Sequence, residues 1–210
     1  MKERILSEAE RLFWKYGVRS VTMEDIARRL GISKKTIYQH FSDKEDILYQ
    51  VVLTRSEQDK AEVDCTMVET DNPVEEILVV LDMMCRHVDN VNPNLFLDIQ
   101  RHYPKAFDVY RQHKEKYIVK SILENIQKGM EQELYRADLH AHILARLCIE
   151  QIELAFNNDI YPADRYNMPD VQRELMHHFV RGMLTERGFA VYNRFMSKQN
   201  DNNLVVYENK

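Results

Sequence analysis

The chain has few of the residues that break helices and no long run of apolar residues. Only 5 of its 210 residues are glycine and 5 are proline, which favours long helices over a fold of short strands and turns. No window reaches the 18 or more apolar residues of a membrane span, and the first residues lack the apolar block of a secretion signal. We therefore expect no membrane partner and a cytoplasmic protein.

Cysteine is equally scarce. Cys65, Cys85 and Cys148 are odd in number and far apart, so they predict reduced core thiols rather than a disulfide framework or a metal site. The sequence also contains no G-x-S-x-G, no Gly-rich phosphate loop, no H-E-x-x-H and no C-x-x-C. We therefore expect a protein that is not an enzyme and that holds no cofactor or metal.

The charge is divided unevenly along the chain. The net charge is −5, but residues 1–50 carry ten Lys and Arg against eight Asp and Glu, while the other 160 residues carry 19 against 26. Within residues 28–44 five basic residues face Asp43 alone. An acidic body behind a basic end would orient the molecule on a polyanion such as DNA.

Residues 22–41 predict two short helices around a turn at Gly31. Thr22 can cap the first helix, with Asp25 as a shorter form of the capping-box glutamate, and Ser33 can cap the second. The apolar positions follow helical spacing: Ile26, Ala27, Leu30, Ile37 and Phe41. Such a pair is typical of a helix-turn-helix, whose second helix enters the major groove. A merely structural hairpin is the alternative, but the basic outer face favours DNA binding.

Residues 5–52 resemble the N-terminal domain of the TetR family of bacterial transcriptional regulators. The resemblance is carried by Phe13, Tyr16-Gly17, Thr22, Ile26-Ala27, Gly31-Ile32-Ser33, Ile37-Tyr38, His40-Phe41 and Lys44-Glu45. It implies an all-α fold of about nine to ten helices. We expect a three-helix DNA-binding domain over residues 1–50, a helical effector-binding and dimerisation domain over 51–196, and a polar tail over 197–210.

Nine residues are predicted to face DNA, in line with the family. They are Thr22, Ser33, Lys34, Lys35, Thr36, Tyr38, Gln39, His40 and Lys44. The side chains of Lys34, Lys35, Thr36 and Gln39 suit base edges, whereas those of Thr22, Tyr38, His40 and Lys44 suit phosphates. Local packing or capping is the alternative for His40, and the family often has glycine at the position of Lys35.

The helices predicted over residues 138–156 and 170–186 are the candidates for a homodimer interface, because the family pairs through a four-helix contact. The expected interface residues are Leu147, Ile152, Leu175, Phe179 and Gly182. Packing of the same residues inside one protomer is the alternative.

The resemblance also implies an effector cavity among the helices spanning residues 73–156. Its candidate lining residues are Phe96, Arg101, Tyr103, Tyr110, His113, Tyr117, His140 and Gln151. The expected function is that of a repressor released from a palindromic DNA operator by an unknown small-molecule effector. The alternative is a helical protein-interaction scaffold that does not bind DNA.

Overall fold

The computed structural model describes residues 1–87, 91–92 and 94–207, and only the backbone of 66–69, 86–87 and 199–207. Its helices are α1 Lys2–Tyr16, α2 Met23–Leu30, α3 Lys34–Tyr38, α4 Lys44–Glu69, α5 Pro73–His87, α6 Leu95–His102, α7 Pro104–His113, α8 Val119–Glu131, α9 Ala141–Leu154, α10 Met168–Met183 and α11 Glu186–Tyr207. A π-helical turn, Lys114–Ile118, joins α7 to α8. The described part of the chain contains helices and no strand, so the predicted all-α fold is confirmed.

The first core lies among α1, α2, α3 and the start of α4. α1 buries residues at helical spacing, and Ile26, Ile37 and Ile47 of the next three helices are completely buried against them. Helices α6 and α7 add Ile99 and Ala106 to the same cluster. The N-terminal domain therefore packs against two helices that lie beyond the predicted domain boundary at residue 50, and α4 runs unbroken across that boundary.

The second core is built from α5, α8, α9, α10 and α11. Gly129 of α8 lies under the ring of Tyr135, where an added Cβ would be 2.0 Å from a ring carbon. The buried Tyr135 hydroxyl lies 3.0 Å from the Pro73 carbonyl oxygen and 3.1 Å from the Asn125 amide oxygen, and these two acceptors share its one proton. These contacts tie the start of α5 to α8 and to the loop that follows it.

Two sequence expectations about the periphery differ from the structure. Cys65 is exposed on α4, whereas Cys85 and Cys148 are buried, so the first of the three is not a core thiol. The residues expected as a polar tail over 197–210 continue α11 as far as Tyr207, and 208–210 lie outside the described residues. Unbroken by glycine or proline, this stretch extends the preceding helix despite its polar composition.

Two further features are absent from the residues that the structure describes. None of the described helices is long and apolar enough to cross a membrane. Within the same residues, no group of three or more His, Cys, Asp or Glu side chains could hold a metal ion.

Candidate nucleic-acid interface and cavity

The turn between α2 and α3 is set by local chemistry. Gly31 has φ 66° in the left-handed region, which glycine adopts without the steric cost that a Cβ would bring. The Ser33 hydroxyl then accepts from the Thr36 amide at 3.1 Å and caps α3. Because Ile37 is completely buried, the opposite face of this short helix turns toward solvent.

The start of α2 carries a complete capping box. The Thr22 hydroxyl accepts from the Asp25 amide at 3.2 Å, and the Thr22 amide donates to the Asp25 carboxylate at 3.0 Å. The same hydroxyl donates to this carboxylate at 2.7 Å. Hydrogen bonds from Thr22 hold the pKa of the Asp25 carboxyl below its usual value. In this structure Thr22 therefore acts as a helix cap, with its proton engaged by Asp25.

Several of the residues predicted to face DNA lie together on α3 and just after it. Lys35, Tyr38, Gln39 and His40 are exposed, and Tyr38 retains 54 % of its accessible surface. Lys34 is also exposed but forms an ion pair with Glu24 of α2, with the N–O distance at 2.9 Å. The surface thus offers hydrogen-bond donors from Lys, Gln and Tyr side chains within one short helical segment.

Lys44 is placed differently from the other predicted DNA contacts. Its Nζ atom donates to the Val18 carbonyl at 2.8 Å and to the Val21 carbonyl at 2.9 Å. Partial burial lowers the pKa of this ammonium group from its usual value. Lys44 therefore joins the start of α4 to the loop between α1 and α2, using two of its three donors.

The residues predicted for the dimer interface separate into two groups. Ile152 and Phe179 are buried within the protomer, where both belong to the second core. Leu147 is 44 % exposed, Leu175 is half-buried, and Gly182 is exposed with nothing within 4 Å of an added Cβ. A residue that the sequence analysis did not include, Ile143, is 65 % exposed on the same helix as Leu147. The two are four positions apart and therefore share one helix face.

A cavity of about 310 Å³ runs between the two cores. Its walls come from α1, α4, α5, α6, α7, the π-helical turn, α8, α9 and α10. This volume lies at the lower end of the range of about 300–1,000 Å³ for small-molecule sites. The cavity reaches from Trp14 in the N-terminal domain to Gln172 in α10.

An aromatic cluster forms one part of the wall. The ring of Phe96 lies 5.3 Å from that of Tyr110 and 6.1 Å from those of Phe107 and Phe156. The Tyr110 hydroxyl donates to Glu153 at 2.9 Å. Burial and this carboxylate raise the pKa of Tyr110 far above its usual value, so the phenol stays protonated.

The π-helical turn connects the cavity wall to α4. The ring of Tyr117 stacks on His113 at 5.3 Å. The Tyr117 hydroxyl donates to the Asp64 carboxylate at 2.8 Å and lies 3.2 Å from the Lys60 carbonyl oxygen. Burial lowers the pKa of His113. Single π-helical turns within α-helices are frequent at functional sites, and this one places Tyr117 in the cavity wall beside His113 at the end of α7.

Four of the eight residues predicted to contact an effector line the cavity: Phe96, Tyr110, His113 and Tyr117. The other four, Arg101, Tyr103, His140 and Gln151, lie outside its lining. Trp14 and Gln172 also line the cavity. Neither was predicted to do so, because the cavity was expected within residues 73–156.

The comparisons with known proteins agree with this architecture. The family described as bacterial regulatory proteins, tetR family, matches residues 5–51. An HTH-type transcriptional regulator of Staphylococcus aureus strain USA300 is 43% identical over 51 residues, which cover 24% of this chain and 28% of that regulator. The chain therefore aligns with less than a third of the length of the curated relatives it matches.

Solved structures match nearly the whole chain at low identity. A candidate transcriptional regulator from Saccharomonospora viridis in complex with choline is 20% identical, with a TM-score of 0.75 over 88% of this chain and 98% of that one. SmeT, the repressor of the Stenotrophomonas maltophilia multidrug efflux pump SmeDEF, is 16% identical, with a TM-score of 0.63 over 89% and 91%. At these identities the similarity shows a shared fold.

Proposed function

We propose that this chain, which belongs to the TetR family of bacterial regulatory proteins through residues 5–51, is a sequence-specific DNA-binding transcriptional regulator. The observation that carries the proposal is the exposed polar and basic face of α3, presented by a capped helix after a left-handed glycine. A helix held in this way can enter the major groove while its partner helix packs behind it. We assign it a place in the bacterial cytoplasm, where its DNA lies.

Within this proposal the predicted contacts take different roles. Lys35 and Gln39 are free to reach base edges, since lysine suits guanine and glutamine suits adenine. Tyr38 and His40 suit phosphates, which position the protein on the duplex. Thr22 and Lys44 support the surface from behind through the contacts that they make within the protein.

A homodimer completes the DNA-binding unit. One helix-turn-helix reads only a few base pairs, and two of them related by a two-fold axis read a palindrome. The exposed Ile143 and Leu147 of α9, together with Leu175 and Gly182 of α10, give the apolar and open surface that such a contact requires. Ile152 and Phe179 support this surface from inside the protomer rather than touching the partner.

The cavity provides a route for control by a small molecule. Helix α4 begins in the first core, where Ile47 and Val51 are buried, and continues into the cavity wall at Arg55 and Asp59. A ligand that binds one position of α4 better than another shifts the DNA-binding domains with it. We propose that the chain is a repressor, as SmeT of the same fold is, and that the ligand relieves the repression.

The alternative of an interaction scaffold is not favoured. The matched family and the structural relatives are regulators of transcription, and a scaffold has no use for a basic surface on a short, capped helix. A catalytic function has no comparable support in either comparison.

Selection of binding sites from random duplex DNA tests the proposal. The full-length protein should enrich a palindrome whose half-sites are about one helical turn, or a multiple of it, apart. Footprinting should then show protection of both half-sites. Enrichment of no sequence above the input pool, at low and at moderate salt, would contradict the proposal.

A further inference from the structure

Gln172 has a carboxamide side chain that is buried in the protein. It lies near the start of α10, is 1 % exposed and lines the cavity. Neither its amide oxygen nor its amide nitrogen has a hydrogen-bond partner among the residues that the structure describes. Such a group destabilises the fold, because its lost interactions with water are not replaced. Its place in the cavity wall points to a ligand.

The charged groups of the cavity wall already have partners of opposite charge. The ion pairs are Asp59 with Arg55 at 2.6 Å, Glu76 with Lys128 at 3.7 Å, and Glu153 with Lys114 at 2.6 Å. Arg55 is the one Lys or Arg among the described lining residues. A cationic or anionic ligand would therefore have to compete with an existing ion pair, which disfavours both kinds of head group.

Other buried polar groups of the wall are also engaged. The Asn125 amide nitrogen donates to the Pro73 carbonyl at 3.0 Å, and its oxygen accepts from the Tyr135 hydroxyl. The Tyr110 hydroxyl donates to Glu153. Gln172 thus differs from these neighbours in offering a donor and an acceptor that are both unused.

We propose that the cavity binds an elongated, uncharged and mainly apolar molecule whose head group both donates and accepts hydrogen bonds, as a primary amide or a lactam does. The head pairs with the carboxamide of Gln172 through two N–H···O=C hydrogen bonds. The apolar body lies against the aromatic cluster of Phe96, Phe107, Tyr110 and Phe156. This inference rests on the proposed function in taking the cavity as the effector site.

The chain carries its own reporter of occupancy. Trp14 is its single tryptophan and lines the cavity. Titration of the DNA-free protein should therefore be followed by Trp14 fluorescence. The probes share a chain of ten carbons, counting the carbonyl carbon where there is one, and differ in the head. Decanamide donates and accepts, N,N-dimethyldecanamide only accepts, decyltrimethylammonium is a cation and decanoate is an anion.

Decanamide should bind most tightly, by about tenfold over N,N-dimethyldecanamide, because the latter cannot donate to the Gln172 oxygen. Gln172→Leu should weaken decanamide binding about tenfold and remove the preference between these two probes. The same variant, without ligand, should melt about 2–4 °C higher, since an unpartnered buried amide is replaced by an apolar group. A purely structural role would not give higher stability together with weaker binding.

Gln151→Leu is the matched control. The Gln151 amide oxygen is also buried without a partner, but this residue lies outside the cavity lining. Its substitution should leave the affinity for decanamide unchanged. Any loss that both variants share would be a general effect of the mutation and would overturn the assignment to Gln172.

Three results would overturn the inference: tightest binding of the cation or the anion, unchanged decanamide affinity in Gln172→Leu, or no fluorescence change with decanamide up to its solubility limit. Because these titrations contain no DNA, they are independent of operator binding. A protein that binds a selected operator but not decanamide keeps the proposed function and loses this inference. A protein that binds decanamide through Gln172 but no DNA does the reverse.

Discussion

At the exposed end of the helix-turn-helix, Lys34 and Lys35 are neighbours in sequence but have different surroundings. Lys34 is held by Glu24 at 2.9 Å, and the ion pair raises the pKa of its ammonium group. Both side chains are exposed, so this pair is worth little in the free protein. A DNA contact by Lys34 requires it to exchange Glu24 for DNA, whereas Lys35 needs no such exchange.

Lys35→Ala should therefore lower operator affinity by about tenfold, the range expected for loss of one base contact. Its melting temperature should stay that of the wild type, because Lys35 is exposed. Fluorescence anisotropy with a labelled operator gives the affinity. Lys116→Ala, an exposed lysine on the π-helical turn, is the control that should not alter binding, and equal effects of the two substitutions would argue against α3 as the reading helix.

Lys44→Met should lower the free energy of unfolding by about 1–3 kcal/mol, because the Val18 and Val21 carbonyls lose their donor. Denaturant unfolding measures this directly. Lys35→Met is the matched surface control and should change stability by less than about 0.5 kcal/mol. If Lys44→Met unfolds like the wild type and yet loses operator affinity, Lys44 is a phosphate contact, as the sequence alone suggested.

His113 should make the protein less stable as the pH falls. Burial lowers its pKa below the ordinary value of 6.5, so below about pH 6.5 the unfolded chain binds a proton that the folded chain resists. The contribution of His113 to the free energy of unfolding is therefore constant above this pH, and it falls as the pH drops toward 5.5. His177, whose pKa is lowered by burial and nearby arginines, adds a change of the same sign.

His113→Phe should therefore reduce, though not abolish, the loss of melting temperature between pH 7.5 and 5.5. His142→Phe, at an exposed position of α9, should leave that loss as it is in the wild type. An unchanged pH profile in His113→Phe would show that this histidine does not resist protonation in the fold.

At the scale of helices, local chemistry predicts the helix-turn-helix well. It predicts poorly which faces of the C-terminal helices are buried in the protomer. The caps at Thr22 and Ser33 and the turn at Gly31 form as expected because each depends on residues within a few positions. Helix α9 is apolar on several sides, so its sequence cannot show which side meets the protomer core. The structure assigns Ile152 to that core and leaves Leu147 exposed.

The dimer is proposed to form through the exposed side of α9 together with α10. Ile143→Glu combined with Leu147→Glu should halve the mass measured by light scattering, because two buried charges per protomer would oppose association. Far-ultraviolet circular dichroism should not change, since both side chains are already in water in the protomer. Ile160→Glu alters a residue that is 49 % exposed outside the helices and should leave the mass unchanged.

A wild-type protein that is already monomeric would refute this assignment, and so would a double variant that stays dimeric. Phe179→Glu is not suited to the question. Its side chain is 6 % exposed inside the second core, so a charge there would disturb the fold of the protomer before it affected any partner.

At the scale of the whole molecule, the resemblance to the TetR family could be recognised from the first quarter of the chain. The set of residues that lines the cavity could not be predicted in this way. The cavity wall combines Trp14 with Gln172, which are far apart in sequence and show no pattern that joins them. Likewise, Lys44 reaches Val18 and Val21 through tertiary packing. Contacts of this kind depend on how helices meet, and helical periodicity carries no information about that.

The distribution of charge also acts on the whole molecule. In the proposed complex the basic end faces DNA while the acidic body faces away, so binding should depend steeply on salt through the release of counterions. For a dimer that contacts several phosphates, affinity should fall on the order of 10³-fold between about 50 and 200 mM salt.

The central claim, that α3 reads DNA, is tested most directly by operator binding of the Lys34→Ala, Lys35→Ala double variant across this salt range. We predict tight, salt-dependent binding by the wild type and no retention of the operator by the variant, with identical circular dichroism and melting. Unaltered operator affinity in the double variant, or binding by the wild type that does not respond to salt, would contradict the account.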